Sequence, residues 1–349
     1  MKRKFILLSI LFLCRFLFVN AQIGGTGVYT FLQLPTSAHV SALGGNNISL
    51  VTNEPSVFFQ NPSLLNDSSN NIAFLSTDKY MADIYYGTAG YTFNIKKLGN
   101  VMTGIQYFNY GKFDRMDEVG NAEGFFYASD YALYLSLQRK LADSLFSYGI
   151  SLKPVLSSYD DYRSFGIVAD IGLLYYNPNQ LLSMALCLKN AGTEIKPYYN
   201  GHYEPVDYDV EFGVTKKLKH APLRLSLTLQ HLEHWDMSNY SFSELNETTV
   251  LGDTANHKSN ISKWSDEALR HIIVATDVVL SKNFYAAFGY NFQHRKELAT
   301  ETRLAMTGFS WGFGFKISKF QLHYAHLSYH LGGASNMITI SSRINDWYK

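Results

Sequence analysis

The residues that could do chemistry are mostly histidines, and their spacing argues against a metal site. The chain has 11 histidines, of which His323, His326 and His330 fall in one short segment. On a strand His323 and His326 point to opposite faces, while His326 and His330 share a face but lie about 13 Å apart. The same spacing of three residues separates His231 from His234, so on a strand these two would also point to opposite faces. The sequence therefore predicts no metal ligands.

Other catalytic signatures are missing from the sequence. It contains no GxSxG elbow, P-loop, HExxH motif or CxxC pair, the patterns that mark nucleophilic, phosphate-binding, zinc and redox sites. Cys14 lies in an N-terminal leader, so Cys187 is the one cysteine of the mature chain and can form no intramolecular disulfide. We predict no catalytic residue, no cofactor and no enzymatic activity.

Several charged residues lie inside segments that otherwise have the character of strands. They are Lys153, Asp170, Asp209, Glu211 and Asp277. A membrane barrel tolerates such charges only on the lumen side of its strands, so they predict a polar interior. The formal net charge of the chain is only +1, which argues against a nucleic-acid partner.

The strands themselves are indicated by strict alternation of apolar and polar residues. Leu223, Leu225, Leu227 and Leu229 alternate with polar residues, and segments 131–138, 284–293 and 311–317 alternate in the same way. Successive side chains on a strand point to opposite faces, so each segment has one apolar face. Both a soluble β-sandwich and a membrane barrel produce this pattern.

The lengths of the connections favour the barrel. We predict about 14 strands, at roughly 71–78, 82–95, 99–111, 125–140, 145–157, 162–176, 181–190, 205–217, 222–233, 268–280, 283–295, 303–317, 319–330 and 336–345. The long connections all follow odd-numbered strands, at 112–124, 191–204, 234–267 and 296–302, whereas those after even-numbered strands are tight. Long loops at one end and short turns at the other are typical of outer-membrane barrels. The predicted fold is an all-β, transmembrane antiparallel β-barrel of about 14 strands.

The start of the chain has the pattern of a cleaved signal peptide. Lys2, Arg3 and Lys4 precede an apolar run, and Val19-Asn20-Ala21 precedes the expected cleavage before Gln22. With the barrel, this leader predicts export to the outer membrane of a Gram-negative cell. The predicted divisions are 1–21 for the signal peptide, 22–70 for an N-terminal hatch, or plug, and 71–349 for the barrel with its long extracellular loops.

The predicted hatch carries a specific resemblance. A lumen of about 14 strands is too wide for side chains alone to fill, and residues 22–70 are rich in Gly, Asn and Pro, including Pro35, Gly44, Gly45, Asn61 and Pro62. The stretches GGTGVYTFLQLPTSAHVSALGG (residues 24–45) and FFQNPSLL (residues 58–65) resemble the opening of the PorQ family of the type IX secretion system. That family is similar to PorV and to the long-chain fatty-acid transporters, which are 14-stranded outer-membrane barrels with an N-terminal hatch.

The resemblance implies a non-catalytic role at the surface of a Bacteroidota-type cell. PorQ-like proteins hold the surface protein PorZ beside the PorU sortase and PorV, in a complex that sorts cargo and attaches it to anionic lipopolysaccharide. Long loops would then carry the contact with the partner, because they combine aromatic, histidine and polar residues. The candidate contact residues are Tyr198, Tyr199, His202, Tyr203, His234, Trp235, Tyr240 and Trp264.

Two alternatives remain open at this level. The first is a channel for hydrophobic compounds or long-chain fatty acids, which would need an apolar pocket that reaches the hatch. Leu32, Leu34, Val57, Phe58 and Phe59 could line such a pocket or could pack the core of an immobile plug. The second alternative is a PorV-like shuttle for cargo proteins.

Overall fold

The protein folds as a closed barrel around its own N-terminal segment. The computed structural model describes residues 27–80, 84–117, 119–141, 145–199, 201–235, 237, 260–298, 306–330 and 333–348. The predicted signal peptide and the candidate contact residue Tyr240 lie outside these ranges. No helix in the described ranges is both long and apolar enough to cross a membrane.

Fourteen strands in the described ranges form one antiparallel sheet, which closes because β1 pairs with both β2 and β14. The strands are β1 Ile72–Lys79, β2 Tyr85–Ile95, β3 Gly99–Met116, β4 Ala122–Lys140, β5 Phe146–Tyr159, β6 Tyr162–Asn177, β7 Leu182–Lys196, β8 Asp209–Lys217, β9 Leu223–Leu229, β10 Ile272–Ser281, β11 Phe284–Asn291, β12 Phe309–Ile317, β13 Phe320–His330 and β14 Gly333–Arg343. The predicted fold class is confirmed.

The outward face of the sheet is apolar, which identifies the barrel as a membrane protein. Along β5 the inward residues Ser147, Ser151 and Lys153 are buried, whereas the outward residues Ile150 and Leu152 are exposed. Other strands repeat this arrangement of exposed Leu, Ile, Phe and Trp side chains around the wall. An exposed apolar face of this size is incompatible with water, and a closed sheet leaves no unpaired edge for lipid to meet.

Three helices and a long hairpin change the predicted boundaries. Helix α1 is Ala38–Ala42, α2 is Asn260–Arg270 and α3 is Phe292–Leu298. The predicted strands 268–280 and 283–295 were therefore wrong at one end each, because α2 and α3 occupy those residues. The predicted loop 112–124 was also wrong, since β3 and β4 continue as a paired hairpin to Met116 and Ala122.

Pro154 lies within β5, where the pairing with β4 is interrupted. The paired residues run from Ala132 opposite Val155 directly to Leu135 opposite Leu152. A proline has no N–H to donate to a neighbouring strand, which accounts for the gap. The proline therefore causes a local break in one ladder inside the wall.

Residues 27–71, here called the hatch, precede β1 and lie inside the barrel. Outside the hatch, a 3-10 turn, Ile344–Trp347, follows β14. The hatch contains α1 and the 3-10 turns Thr30–Gln33, Pro55–Phe59, Pro62–Leu64 and Asp67–Ser69. Most of the hatch backbone is irregular, so its buried carbonyl groups need partners from outside the segment. Wall side chains supply them: Thr88, Gln106, Ser147, Ser183, Asn291 and Ser310 donate hydrogen bonds of 2.6–3.1 Å to hatch carbonyl oxygens.

Glycines in the wall make room for the hatch to approach the sheet. Gly149 and Gly172 are paired across β5 and β6, and a Cβ on Gly172 would overlap the Asn61 side chain, while a Cβ on Gly149 would overlap Pro62. Asn61 is fixed there because its Oδ1 accepts from Ser63 N and Oγ, and its Nδ2 donates to Ile48 O at 2.8 Å. The same close approach to the hatch occurs at Gly104, Gly213, Gly289 and Gly312.

We predict that Gly172→Ala destabilises the folded barrel by about 1–3 kcal/mol, because the added methyl group displaces Asn61 from the wall. The midpoint of urea unfolding in detergent micelles measures this change. A double-mutant cycle with Asn61→Ala provides the control, since removing the Asn61 side chain removes the overlap. Additive effects of the two substitutions would contradict the close packing of Asn61 on Gly172.

Candidate functional site

The predicted hatch motif occupies two different places in the lumen. Ser37 caps α1 by accepting from Val40 N, and Gly44 and Gly45 end the helix with φ of 95° and 92°. Such positive φ values favour glycine, and Gly45 N donates to Val40 O at the C-terminus of the helix. Pro35 lines a cavity of about 270 Å³ next to Gly44 and Gly45 at the end of α1. Asn61 and Pro62 lie instead in the notch of Gly149 and Gly172 on the opposite wall.

A buried ion cluster joins α1 to the wall. His39 Nε2 lies 2.8 Å from Asp277 Oδ1 on β10, and His39 Nδ1 lies 3.0 Å from Glu54 Oε2 in the hatch. Arg224 Nε on β9 donates to Asp277 Oδ2 at 2.8 Å. Only an imidazolium ring can donate from both nitrogens, so His39 carries a positive charge in this arrangement. The two cations then balance the two carboxylates.

Aromatic and hydroxyl groups complete the surroundings of His39. Its ring stacks on Tyr285 with ring centroids 4.1 Å apart, and the Tyr285 hydroxyl lies 2.8 Å from His323 Nδ1. Ser56 Oγ donates to Glu54 Oε1 at 2.8 Å. The cluster borders a cavity of about 200 Å³ near the turn between β10 and β11. These contacts fix α1 to four strands, β9, β10, β11 and β13.

A second set of charges holds the other side of the hatch. On β7, Lys189 donates to Gln60 Oε1 of the hatch at 2.8 Å and pairs with Glu211 on β8 at 3.2 Å. Asn46 of the hatch donates to Glu211 Oε1 at 2.7 Å. Nearby, Lys153 pairs with Asp170 at 2.6 Å. The charged residues predicted for the lumen face inward, and two of them, Asp277 and Glu211, bind the hatch directly.

The apolar residues of the hatch mostly form its own core. Leu32, Val57, Phe58 and Phe59 are buried among the lumen residues, and Phe59 packs on Tyr134 with ring centroids 4.4 Å apart. Leu34 lines the cavity at the end of α1 instead. Four of the five apolar residues therefore pack the plug, which was one of the two roles that the sequence left open for them.

The two ends of the barrel are distinguished by their connections. The short turns 96–98, 178–181, 218–222 and 318–319 are at one end and the long connections are at the other, which marks the latter as the extracellular end. Val28 forms a parallel bridge with Val206 in the connection between β7 and β8. The first described residues of the hatch therefore lie at the outer mouth of the barrel, and the chain descends from there toward β1.

A tyrosine-lined cavity of about 370 Å³ opens at the outer mouth. Tyr29, Tyr110, Tyr159, Tyr162 and Tyr198 contribute to its lining, with Asp130 among them. Tyr110 donates to Asp130 Oδ2 at 2.7 Å, and Tyr198 donates to Ser157. Burial and the nearby Asp130 carboxylate raise the pKa of Tyr198, so its hydroxyl remains a donor. Ring faces and hydroxyl groups together suit a small aromatic or hydroxylated ligand.

The candidate contact residues form two groups on the outer loops. Tyr199 and Tyr203 are 64% and 65% exposed, and His202 N donates to Tyr199 O. In the other group, Trp235 stacks on His271 and lies 6.1 Å from Trp264 between ring centroids. His234 N donates to His231 O. Tyr198 is partly buried in the tyrosine-lined cavity, unlike its exposed neighbours.

Sequence reasoning missed a third outer surface, the projecting hairpin of residues 111–127. Here β3 and β4 pair only with each other, because β2 begins at Tyr85 opposite Asn109 and the pairing of β4 with β5 begins at Ala128. The hairpin extends about 20 Å beyond its neighbours at the usual rise per residue. Its exposed apolar side chains are Phe113, Met116, Val119, Phe125 and Tyr127. The alternation of Phe125 and Tyr127 was the available signal.

Comparison with known proteins supports the fold. No protein-family model matches this sequence, and no curated protein matches it either. The solved toluene transporter TbuX of Ralstonia pickettii is similar, with a TM-score of 0.53 and 12% identity over 90% of this chain and 100% of that chain. The P. putida toluene transporter TodX has a TM-score of 0.52 and 9% identity over 89% and 99%. At these identities the likeness is one of fold, that of an outer-membrane barrel.

We predict that His39→Leu destabilises the barrel by about 3–5 kcal/mol, because it leaves two buried carboxylates without their shared partner. Loosening of the hatch should also raise the single-channel conductance of the purified protein in planar bilayers. His326→Leu is the matched control, since His326 lies outside the lumen and bonds to Asn336. Equal effects of the two substitutions would show that the ion cluster does not hold the hatch.

Proposed function

We propose that this chain is a plugged outer-membrane barrel that anchors a partner protein at the cell surface. The observation that carries the proposal is the filled lumen. The hatch is bound to opposite walls by charge pairs at His39 and Lys189, and its apolar residues pack within the plug. A lumen occupied in this way favours a role for the outer surface over a role for the interior.

The outer surface exposes residue types that are common in protein contacts. Interface cores are enriched in aromatic residues and methionine, and the projecting hairpin combines such residues with charged ones, including Asp114, Arg115 and Glu123. The projecting hairpin exposes Phe125, Tyr127 and Met116, and two other outer connections expose Tyr199 and Trp264. A paired hairpin also holds its side chains in a fixed arrangement, so less conformational freedom is lost when a partner binds.

The sequence resemblance identifies the partner that we propose. The stretches that resemble the PorQ family are residues 24–45 and 58–65. The structure describes residues 27–45 and 58–65, and both lie in the hatch. By this resemblance the partner is a PorZ-like surface protein, held beside a PorU sortase and PorV in an attachment complex. Cargo would be joined to anionic lipopolysaccharide at this complex, in the outer membrane of a Bacteroidota-type cell that exports the chain through its cleaved leader.

A pull-down of the tagged mature protein from detergent-solubilised outer membranes tests the anchor. We expect stoichiometric recovery of a PorZ-like protein by mass spectrometry. Replacing residues 113–126 with an Asn-Gly turn shortens the hairpin while keeping the pair Lys112–Tyr127, and should abolish recovery if the hairpin is the contact. Tyr199→Ser with Tyr203→Ser tests the neighbouring loop in the same way.

The control substitution is His220→Ser, which changes an exposed residue at the opposite end of the barrel and should leave recovery unchanged. Recovery of the barrel without a surface protein would contradict the anchor. Recovery of cargo proteins that retain their sorting signals would instead favour the PorV-like shuttle.

Uptake of hydrophobic compounds is the second candidate function, and the fold comparisons support it more directly than they support the anchor. Both similar structures are toluene transporters by name. The tyrosine-lined cavity at the outer mouth is the feature of this chain that would receive an aromatic compound. Transport would require the hatch to move, because the hatch fills the lumen below that cavity.

A disulfide that locks the hatch separates the two candidates. Ser49 Oγ lies 2.7 Å from Thr215 Oγ1, so Ser49→Cys with Thr215→Cys can bridge the hatch to β8, in a Cys187→Ala background. If the barrel transports toluene or a fatty acid, oxidation should stop uptake into proteoliposomes and reduction should restore it. Under the anchor proposal, neither the wild type nor the reduced variant exceeds protein-free liposomes, and oxidation leaves the pull-down unchanged.

A further inference from the structure

Three side chains at the outer mouth converge on one point. Asp209 is the first residue of β8, and His231 and Glu233 follow the end of β9. One ligand atom from each of them lies within 4.8 Å of the other two. His231 Nδ1 is 3.5 Å from Asp209 Oδ2 and 3.6 Å from Glu233 Oε1. These distances exceed those of an N–H···O hydrogen bond.

The spacing is that of atoms around a cation. Nitrogen and oxygen ligands lie about 2.0–2.2 Å from a zinc ion, so two of them at a tetrahedral angle are roughly 3.4 Å apart. The two distances from His231 Nδ1 are close to this value.

Each carboxylate is also held in position by a backbone group. Asp209 Oδ1 accepts from His231 N at 2.7 Å, and Glu233 Oε2 accepts from Val210 N at 2.7 Å. The second oxygen of each group is thereby directed toward His231 Nδ1. Fixation of ligands by hydrogen bonds of this kind is a regular feature of metal centres.

A third carboxylate, Glu211, supplies an independent sign of a bound cation. Glu211 is fully buried, and its Oε2 has no hydrogen-bond partner among the described residues. It interacts with Asp209 and lines the same cavity as Asp209 and His231, which has a volume of about 270 Å³. Asn46 Oδ1, also buried and unpartnered within the described chain, borders this cavity. Buried oxygen atoms without partners are costly unless a cation or water satisfies them.

We propose that Asp209, His231 and Glu233 bind a divalent transition-metal ion, with Zn²⁺ or Mn²⁺ as the class that suits one imidazole and two carboxylates. Glu211 lines the adjoining cavity together with Asp209 and His231. The ion joins the start of β8 to the segment that leads from β9 into the longest connection of the chain. That segment carries Trp235, so the metal fixes the base of one of the candidate contact surfaces.

Zinc binding to the full mature protein in detergent tests the proposal. The protein carries a tag other than polyhistidine and is first stripped with a chelator. We expect calorimetry with Zn²⁺ to show one ion per chain at micromolar concentrations, and a change in tryptophan fluorescence to accompany binding because Trp235 is adjacent. His231→Gln and Glu233→Gln should each weaken binding by about tenfold or more.

Asp161→Asn is the matched control, because Asp161 is an exposed carboxylate in the β5–β6 connection at the same end of the barrel. Its zinc affinity should equal that of the wild type. Heat-dependent migration in gels establishes that each variant is a folded barrel. The proposal is overturned if folded wild-type protein binds neither Zn²⁺ nor Mn²⁺, or if binding is unchanged in both His231→Gln and Glu233→Gln.

Discussion

The structure depends on one constraint: an irregular segment inside a barrel must find partners for its backbone polar groups on the wall. The lumen face of each strand provides those partners, as Thr88, Gln106, Ser183 and Ser310 show. The same alternation that makes the outer face apolar therefore has a second use. It places hydroxyl and amide groups at a regular spacing where the hatch can bind them.

The charges of the lumen add orientation to this general pairing. His39 bonds two carboxylates on different segments, and one of these carboxylates also receives Arg224. Removing any member leaves the buried charges of the cluster unbalanced, which costs several kcal/mol. Hydroxyl groups could bind many irregular segments, whereas this arrangement requires α1 to lie in one position. The hatch is consequently part of the folded barrel.

The fold was predictable because it rests on local patterns, and the site was less so because it rests on distant contacts. Alternation and the parity of the loops gave the number of strands and the inward direction of Lys153 and Asp277. The partners of these charges are far apart in sequence, as with His39 and Asp277, and no local pattern pairs them. The approach of Asp209 and Glu233 to His231 was not predictable, because the alternation predicts one strand over residues 222–233. In the structure β9 ends at Leu229, and His231 has φ of 55°.

Buried side-chain atoms without partners in the described chain occur in several places, among them His323 Nε2 beside the α1 cluster and Glu211 Oε2 near the outer mouth. Around α1 the carboxylates of Glu54 and Asp277 are fully paired, and the backbone of the hatch is bonded to the wall. At the outer mouth, buried oxygens of Glu211 and Asn46 have no partners in the described chain, and aromatic side chains stand exposed above them. A buried polar group without a partner can gain a hydrogen bond from a ligand, whereas a group that is already satisfied gains little. We therefore propose that this protein binds its partner at the outer mouth, while the side chains of the lumen hold the hatch.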